Sequence, residues 1–169
     1  MRETAQQYTE RILKFSEGRD GLELQQSMPQ KLAGLLEGKT QEELTRRPDP
    51  EKWSVAEILA HLGDAEIAIS WRMRQILGSN GVKVQAFDQE AWAKAFGYAN
   101  RDPRESLEFF RVVRGRNLAL LRSIPGELWD NYGMHEERGK ESIRHMVKLT
   151  AGHDLNHLRQ IEAILNEKS

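Results

Sequence analysis

Two histidines four residues apart, His153 and His157 in "AGHDLNHLRQIEAI", carry the clearest chemical signal in this chain. In an α-helix such residues stand one above the other on one face. Both imidazoles can then aim at a single point, which is what a metal ion asks of two nitrogen ligands. A third imidazole from another helix would complete a three-histidine set and leave a position free for water or substrate. Such a site serves chemistry rather than staples a fold. His61, in "EILAHLGDAE", is the candidate third member. The HExxH signature of zinc proteases is absent, because Asp154 follows His153.

The neighbours of the pair decide which way it faces. Met146, Leu149, Gln160, Ile161 and Ile164 continue its stripe, so the imidazoles lie on the face the helix must bury. Buried imidazoles need partners, and two stacked rings sharing a metal is one economical solution. His61 shares an apolar stripe with Ile58, Leu62, Ala65 and Ala68. Alone it would read as a hydrogen-bonded core residue. Arg72 returns to within about 20° of the same angular position. It could hold an anionic substrate group, although an ion pair with a bundle carboxylate such as Glu57 is the commoner fate. His145 points about 80° away from the pair and is not expected to be a ligand. His135, in the "GMHEERG" loop, is expected to be a solvated loop residue, with a place over a pocket as the alternative.

Helices must position these groups. Leu, Ala, Glu, Gln, Lys and Arg fill the long segments, and β-branched alternation is missing, so little strand is expected. After an N-terminal helix over about 3–16, "GRDG" breaks the pattern. Four long helices follow, and the first runs over roughly 21–37. The second starts at Ser54, where "SVAE" forms a capping box with Glu57 and Trp53 can staple onto Ile58. The third runs from Asp102–Pro103 to about Ile124, and the last from about Ser142 almost to the end. The long link between helices two and three, with a short helix near 88–96, can carry the chain from one end of a bundle to the other. The depths of the histidines favour that crossover, because pairing helices two and four antiparallel brings His61 nearer the level of the pair. The expectation is an all-α four-helix bundle with a long crossover between helices two and three. It occupies 21–169, with 1–20 as an N-terminal helical extension.

Bulk composition removes several alternatives. Lys and Arg number 25 against 26 Asp and Glu, so charge offers no case for nucleic acid or an anionic membrane. No apolar run approaches a membrane span, and nothing suggests export, so a cytoplasmic location is the default expectation. The chain has no cysteine, which excludes disulfides, thiolate metal sites and a nucleophilic cysteine.

In order along the chain, "KWSVAEILAHLGDAE", "FDQEAWAKAFGY", "LWDNYGMHEERGKESIRHM" and "HDLNHLRQIEAI" resemble the landmarks of the DinB/YfiT-like superfamily. The resemblance spans about 21–166. It implies a four-helix bundle with the long crossover, a homodimer, and a divalent metal, nickel or zinc, on three histidines at the end of a pocket. Matched position by position, those ligands are His61, His153 and His157, and Gln160 falls at the "HxxQI" landmark in a supporting role. Asp64 and Asp154 read equally as solvated helix charges or as carboxylates orienting a ligand imidazole. The four tryptophans read as core, although Trp71 and Trp92 could line a pocket or a dimer face.

The resemblance implies a metal-dependent transferase that joins a low-molecular-weight thiol to a small-molecule electrophile, or a hydrolase using the same site. No dedicated general base stands out; Asp64, Asp154 and His135 are the candidates. The alternatives are a non-catalytic metal-binding stress protein and a bundle whose histidines only fill the core.

Overall fold

The structure, a computed structural model, describes residues 3–166. Residues 1–2 and 167–169, the outer tips of the two expected segments, lie outside it. The helices are α1 (Ala5–Ser16), α2 (Gly21–Leu36), α3 (Gln41–Thr45), α4 (Val55–Gly78), α5 (Gln89–Ala95), α6 (Pro103–Ser123) and α7 (Ile143–Asn166). The four-helix bundle consists of α2, α4, α6 and α7. The expected caps hold. The Ser54 hydroxyl accepts from the Glu57 amide at 3.2 Å, and the Glu57 carboxylate accepts from the Ser54 amide at 2.8 Å. Asp102 caps α6 by accepting from the amides of Arg104 and Glu105.

Contacts between named residues fix the helix directions. Gly63 of α4 lies against Ser106 and Phe109 of α6, Glu66 against Arg114, and Arg74 against Asn117. The two helices therefore run parallel, as the crossover over 79–102 requires. On α7 the order reverses. His61 meets His153 and His157, while Met73 and Ile76 cluster with Ile143 and Val147 at the start of α7. Helices two and four of the bundle are antiparallel, the arrangement the histidine depths favour.

Two apolar clusters fill the bundle. One lies around Leu32, Ile58, Leu62, Phe110 and Ile161, and the other around Ile76, Leu121, Ile143 and Val147. Between them lies a band of buried polar groups that includes His61, Glu66, Arg114, Asp154 and His157. The functional candidates sit in this band.

Little strand is expected, and what there is forms in segments that the sequence does not mark. Strands β1 (Lys83–Val84), β2 (Tyr132–His135) and β3 (Gly139–Ser142) form a small sheet in the order β1-β2-β3. The first pair is parallel and the second antiparallel. The strands are two to four residues long and carry few β-branched residues, so neither propensity nor alternation marks them. The hairpin closes at Gly139, whose φ of +76° suits glycine. The sheet packs on the end of α4: a Cβ on Gly133 would lie 2.9 Å from the Ile76 side chain.

Helix α1 lies along α7. Ser16 donates to the carbonyl of Lys148 at 2.9 Å, and Arg11 donates to the side chain of Asn156 at 3.2 Å. The approach is close enough that a Cβ on Gly152 would come within 2.2 Å of the Ile12 carbonyl oxygen. Because that neighbour is backbone, it cannot rotate away. Gly152→Ala is therefore expected to cost about 1–3 kcal/mol in urea unfolding. Tryptic cleavage at Arg19, in the link that follows α1, should accelerate as α1 loosens.

Candidate metal centre

The three imidazoles that the sequence singles out do come together. His61 Nε2 lies 3.2 Å from His153 Nε2, which lies 3.1 Å from His157 Nε2. Ligand atoms of all three rings fall within 4.8 Å of one another. His61 and His157 are buried, and His153 is partly open to a cavity. α4 delivers one ring and α7 the other two, from successive turns of one face.

The protonation pattern suits a cation. The Gln160 side-chain oxygen accepts from His157 Nδ1 at 2.8 Å, so the Nε2 of that ring carries its lone pair toward the focus. Burial lowers the His61 pKa to about 3, with His157 adding to the effect, and it lowers His157 to about 4. His153 is also held well below its ordinary value by burial, then by its two neighbours. The rings are thus neutral at pH 7, the ligating form. Tetrahedral coordination with Zn–N bonds of 2.0–2.1 Å separates ligand nitrogens by about 3.3 Å. The two short separations come close to that spacing, so the residues fit a divalent ion.

The cavity, of about 860 Å³, opens from His61 and His153 toward α1, the crossover and the β2–β3 hairpin. Trp53 packs against His61, with ring centroids 5.1 Å apart. Trp92 stacks on Phe87 at 4.4 Å, and Phe87 lines the cavity. Trp71 is 64% exposed.

Several sequence expectations need correction. Asp154 is neither a solvated charge nor an orienter of an imidazole. It is buried and accepts twice from Arg114, at 2.6 and 3.1 Å. Asp64 faces Arg101 at 3.6 Å and hydrogen-bonds no imidazole among the described residues. His135 is not a solvated loop residue; it sits on β2, is 3% exposed and lines the cavity. Arg72 does not pair with Glu57, which is held by Arg47; it donates to the backbone carbonyl of Gln85. His145 needs no correction: it stays apart from the three rings, 3.8 Å from Glu141, in keeping with its angular offset.

Arg114 escaped sequence reading altogether. Its guanidinium bridges Asp154 of α7 and Glu66 of α4, the latter at 2.8 Å, and Asn117 donates to Glu66 at 2.7 Å. Burial works against the charged guanidinium, but the two carboxylates outweigh it and hold it protonated. Burial pushes Asp154 up to about 6 against the pull of Arg114. Pro29 completes the arrangement. Proline has no N–H for the carbonyl four residues earlier, so the Gln25 oxygen is free to accept from Arg114 at 3.3 Å. The available signal was helical spacing, since Arg114 and Asn117 lie on the stripe of Phe110, Leu118 and Leu121.

Comparison with known proteins places the chain among relatives of the same architecture. A family model described as the DinB superfamily matches residues 25–161. A protein of Oceanobacillus iheyensis is 26% identical over 128 residues, covering 76% of this chain and 73% of the relative. YfiT of Bacillus subtilis is 23% identical over 142 residues, covering 83% and 79%. Both bear the name "putative metal-dependent hydrolase". The solved structure of Bacillus subtilis YfiT, titled as having an unusual four-helix bundle topology, superposes with a TM-score of 0.79 at 20% identity. That match covers 97% of this chain and 90% of YfiT.

Two outcomes follow for stability. Arg114→Met strands two carboxylates in the core and should lower unfolding free energy by about 3–5 kcal/mol at pH 7 in urea titration. The second concerns His135, whose pKa burial lowers to about 4, with Arg138 and Arg72 adding to the effect. The unfolded residue titrates near about 6.5. Between these values the unfolded chain binds a proton that the folded one does not, so stability falls as pH drops through this range. Chelator-treated His135→Gln should therefore lose less stability than the parent between pH 7 and pH 5, measured by the same titration.

Proposed function

The chain belongs to the DinB superfamily, and on that footing we propose that it is an enzyme dependent on a divalent metal, zinc or nickel. The ion is held by the Nε2 atoms of His61, His153 and His157. The reaction transfers a low-molecular-weight thiol to an electrophile bound in the adjoining cavity. The observation that carries this reading is the convergence of three neutral imidazoles, His153 Nε2 lying 3.2 Å from that of His61 and 3.1 Å from that of His157, with the His153 ring open to the cavity. When bound, such a cation supplies Lewis acidity that lowers the pKa of a water or thiol taking its free position.

The chain's own groups bear on the choice of nucleophile. No cysteine is present, so a thiol must arrive with a cosubstrate. The cavity is far larger than a water molecule needs, and its volume suits two organic partners side by side. Gln160 fixes the tautomer of His157, and Trp53 packs against His61. Hydrolysis by water at the same position is the second reading, favoured by the names of the relatives in Oceanobacillus and Bacillus. Imidazole accepts either zinc or nickel, so the choice of ion follows availability.

Elemental analysis of the purified protein should find one divalent ion per chain. His61→Ala, His153→Ala and His157→Ala should each lose it while keeping most of the helical circular dichroism, and His145→Ala should retain it. Melting temperature should fall on chelation. In a panel of small thiols with monochlorobimane, at least one thiol should be consumed at a rate that chelation abolishes. Chelation-sensitive turnover of esters or amides, with no thiol consumed, would replace the transferase reading by the hydrolase one. Stoichiometric metal with neither activity would make the protein a binder.

A further inference from the structure

The cavity wall formed by the crossover and the hairpin holds a buried His135 Nε2 with no partner among the described residues, and an arginine, Arg72, with hydrogen-bonding capacity to spare. Arg72 is 7% exposed. Its Nε donates to the carbonyl of Gln85 at 3.1 Å, and its Nη2 donates to the same oxygen. No hydrogen bond engages its Nη1, and no carboxylate lies within 4.0 Å of the guanidinium, among the described residues. His135 is 3% exposed. Its Nδ1 accepts from the Glu137 amide at 3.2 Å, which puts the ring proton on Nε2. That Nε2 is buried with no hydrogen-bond partner among the described residues.

The fold puts these two side chains on one cavity, where the charge of Arg72 acts on the His135 ring. In the parallel ladder Val84 pairs with His135, so Gln85, which pins Arg72, follows the residue beside His135. Both side chains line the same cavity as His61 and His153. Arg138 also lines it, but its charge is taken up by Glu141 through two hydrogen bonds, at 2.6 and 2.9 Å.

Glu141, Glu137 and Glu136 act on the Arg72 guanidinium only from a distance, without pairing directly with it, and a buried N–H without an acceptor is costly. One anionic group could serve both side chains. We infer that Arg72 and His135 form a carboxylate-binding subsite, so the small molecule that presents its reacting atom to the three histidines is itself a carboxylic acid. A carboxylate has two oxygens to offer to two donors on one cavity wall. A phosphate dianion fits less well, because Glu137 also lines this wall and opposes a second negative charge. This assignment of substrate class rests on the cavity being the substrate site of the proposed enzyme.

The test uses butanoate, butanamide and inorganic phosphate, each titrated into chelator-treated protein, so that no ion competes for the carboxylate. Binding is read from the side-chain 15N resonances of Arg72 and His135. Butanoate should shift both resonances and bind at least tenfold more tightly than butanamide and more tightly than phosphate. Arg72→Gln and His135→Phe should each weaken butanoate about tenfold, and Arg72→Lys should recover part of the loss. Equal binding of butanoate and butanamide, tighter binding of phosphate, or unchanged affinity in the His135 variant would overturn the assignment. If Arg72→Gln fails to fold, the parent shifts and His135→Phe decide the matter. A negative result here leaves metal content and thiol turnover untouched, and loss of those leaves butanoate binding as measured, so the two readings fail separately.

Discussion

The guanidinium of Arg114 ties the four helices of the bundle to one another at a single level. From α6 it reaches Glu66 on α4, Asp154 on α7 and the Gln25 carbonyl that Pro29 leaves free on α2. Buried charges bond well in few geometries, so this cluster sets how far α4 can slide against α7. Glu66 lies five residues beyond His61, and Asp154 is the residue next to His153. A slip of one helical turn would move one set of imidazoles by about 5.4 Å. Three nitrogens now 3.1–3.2 Å apart in successive pairs would then no longer share a focus. The geometry of the histidines is thus inherited from an ion cluster that never touches them.

The polar band has a second consequence. Apolar clusters above and below hold the bundle together, so the interior between them can carry groups chosen for chemistry. Where α1, the crossover and the hairpin border the bundle, the band opens into the cavity. Tyr8 of α1 lines the cavity, and α1 lies before the stretch matched by the family model. The bundle supplies the histidines, and its additions shape what can approach them.

Much of this was legible in the sequence, for identifiable reasons. The bundle helices announce themselves by stripe and cap, Ser54–Glu57 and Asp102–Pro103 above all. The spacing of His153 and His157 fixes their shared face, and the depth of His61 favours the antiparallel pairing that the structure displays. What escaped depends on contacts distant in sequence. Strands of two to four residues are stabilised by their neighbours and by α4, so "YGMHEERGKES" looks like a loop until the sheet is assembled. His135 was misread for that reason. Asp154 looks like a surface charge until Arg114 arrives from another helix.

Anomalous diffraction from crystals grown with zinc or nickel would test the central claim most directly. The account predicts one strong peak bonded to the Nε2 atoms of His61, His153 and His157 at about 2.0–2.1 Å for zinc, with its remaining position facing the cavity. A peak held by other side chains, or none between rings that keep their present apposition, would contradict it.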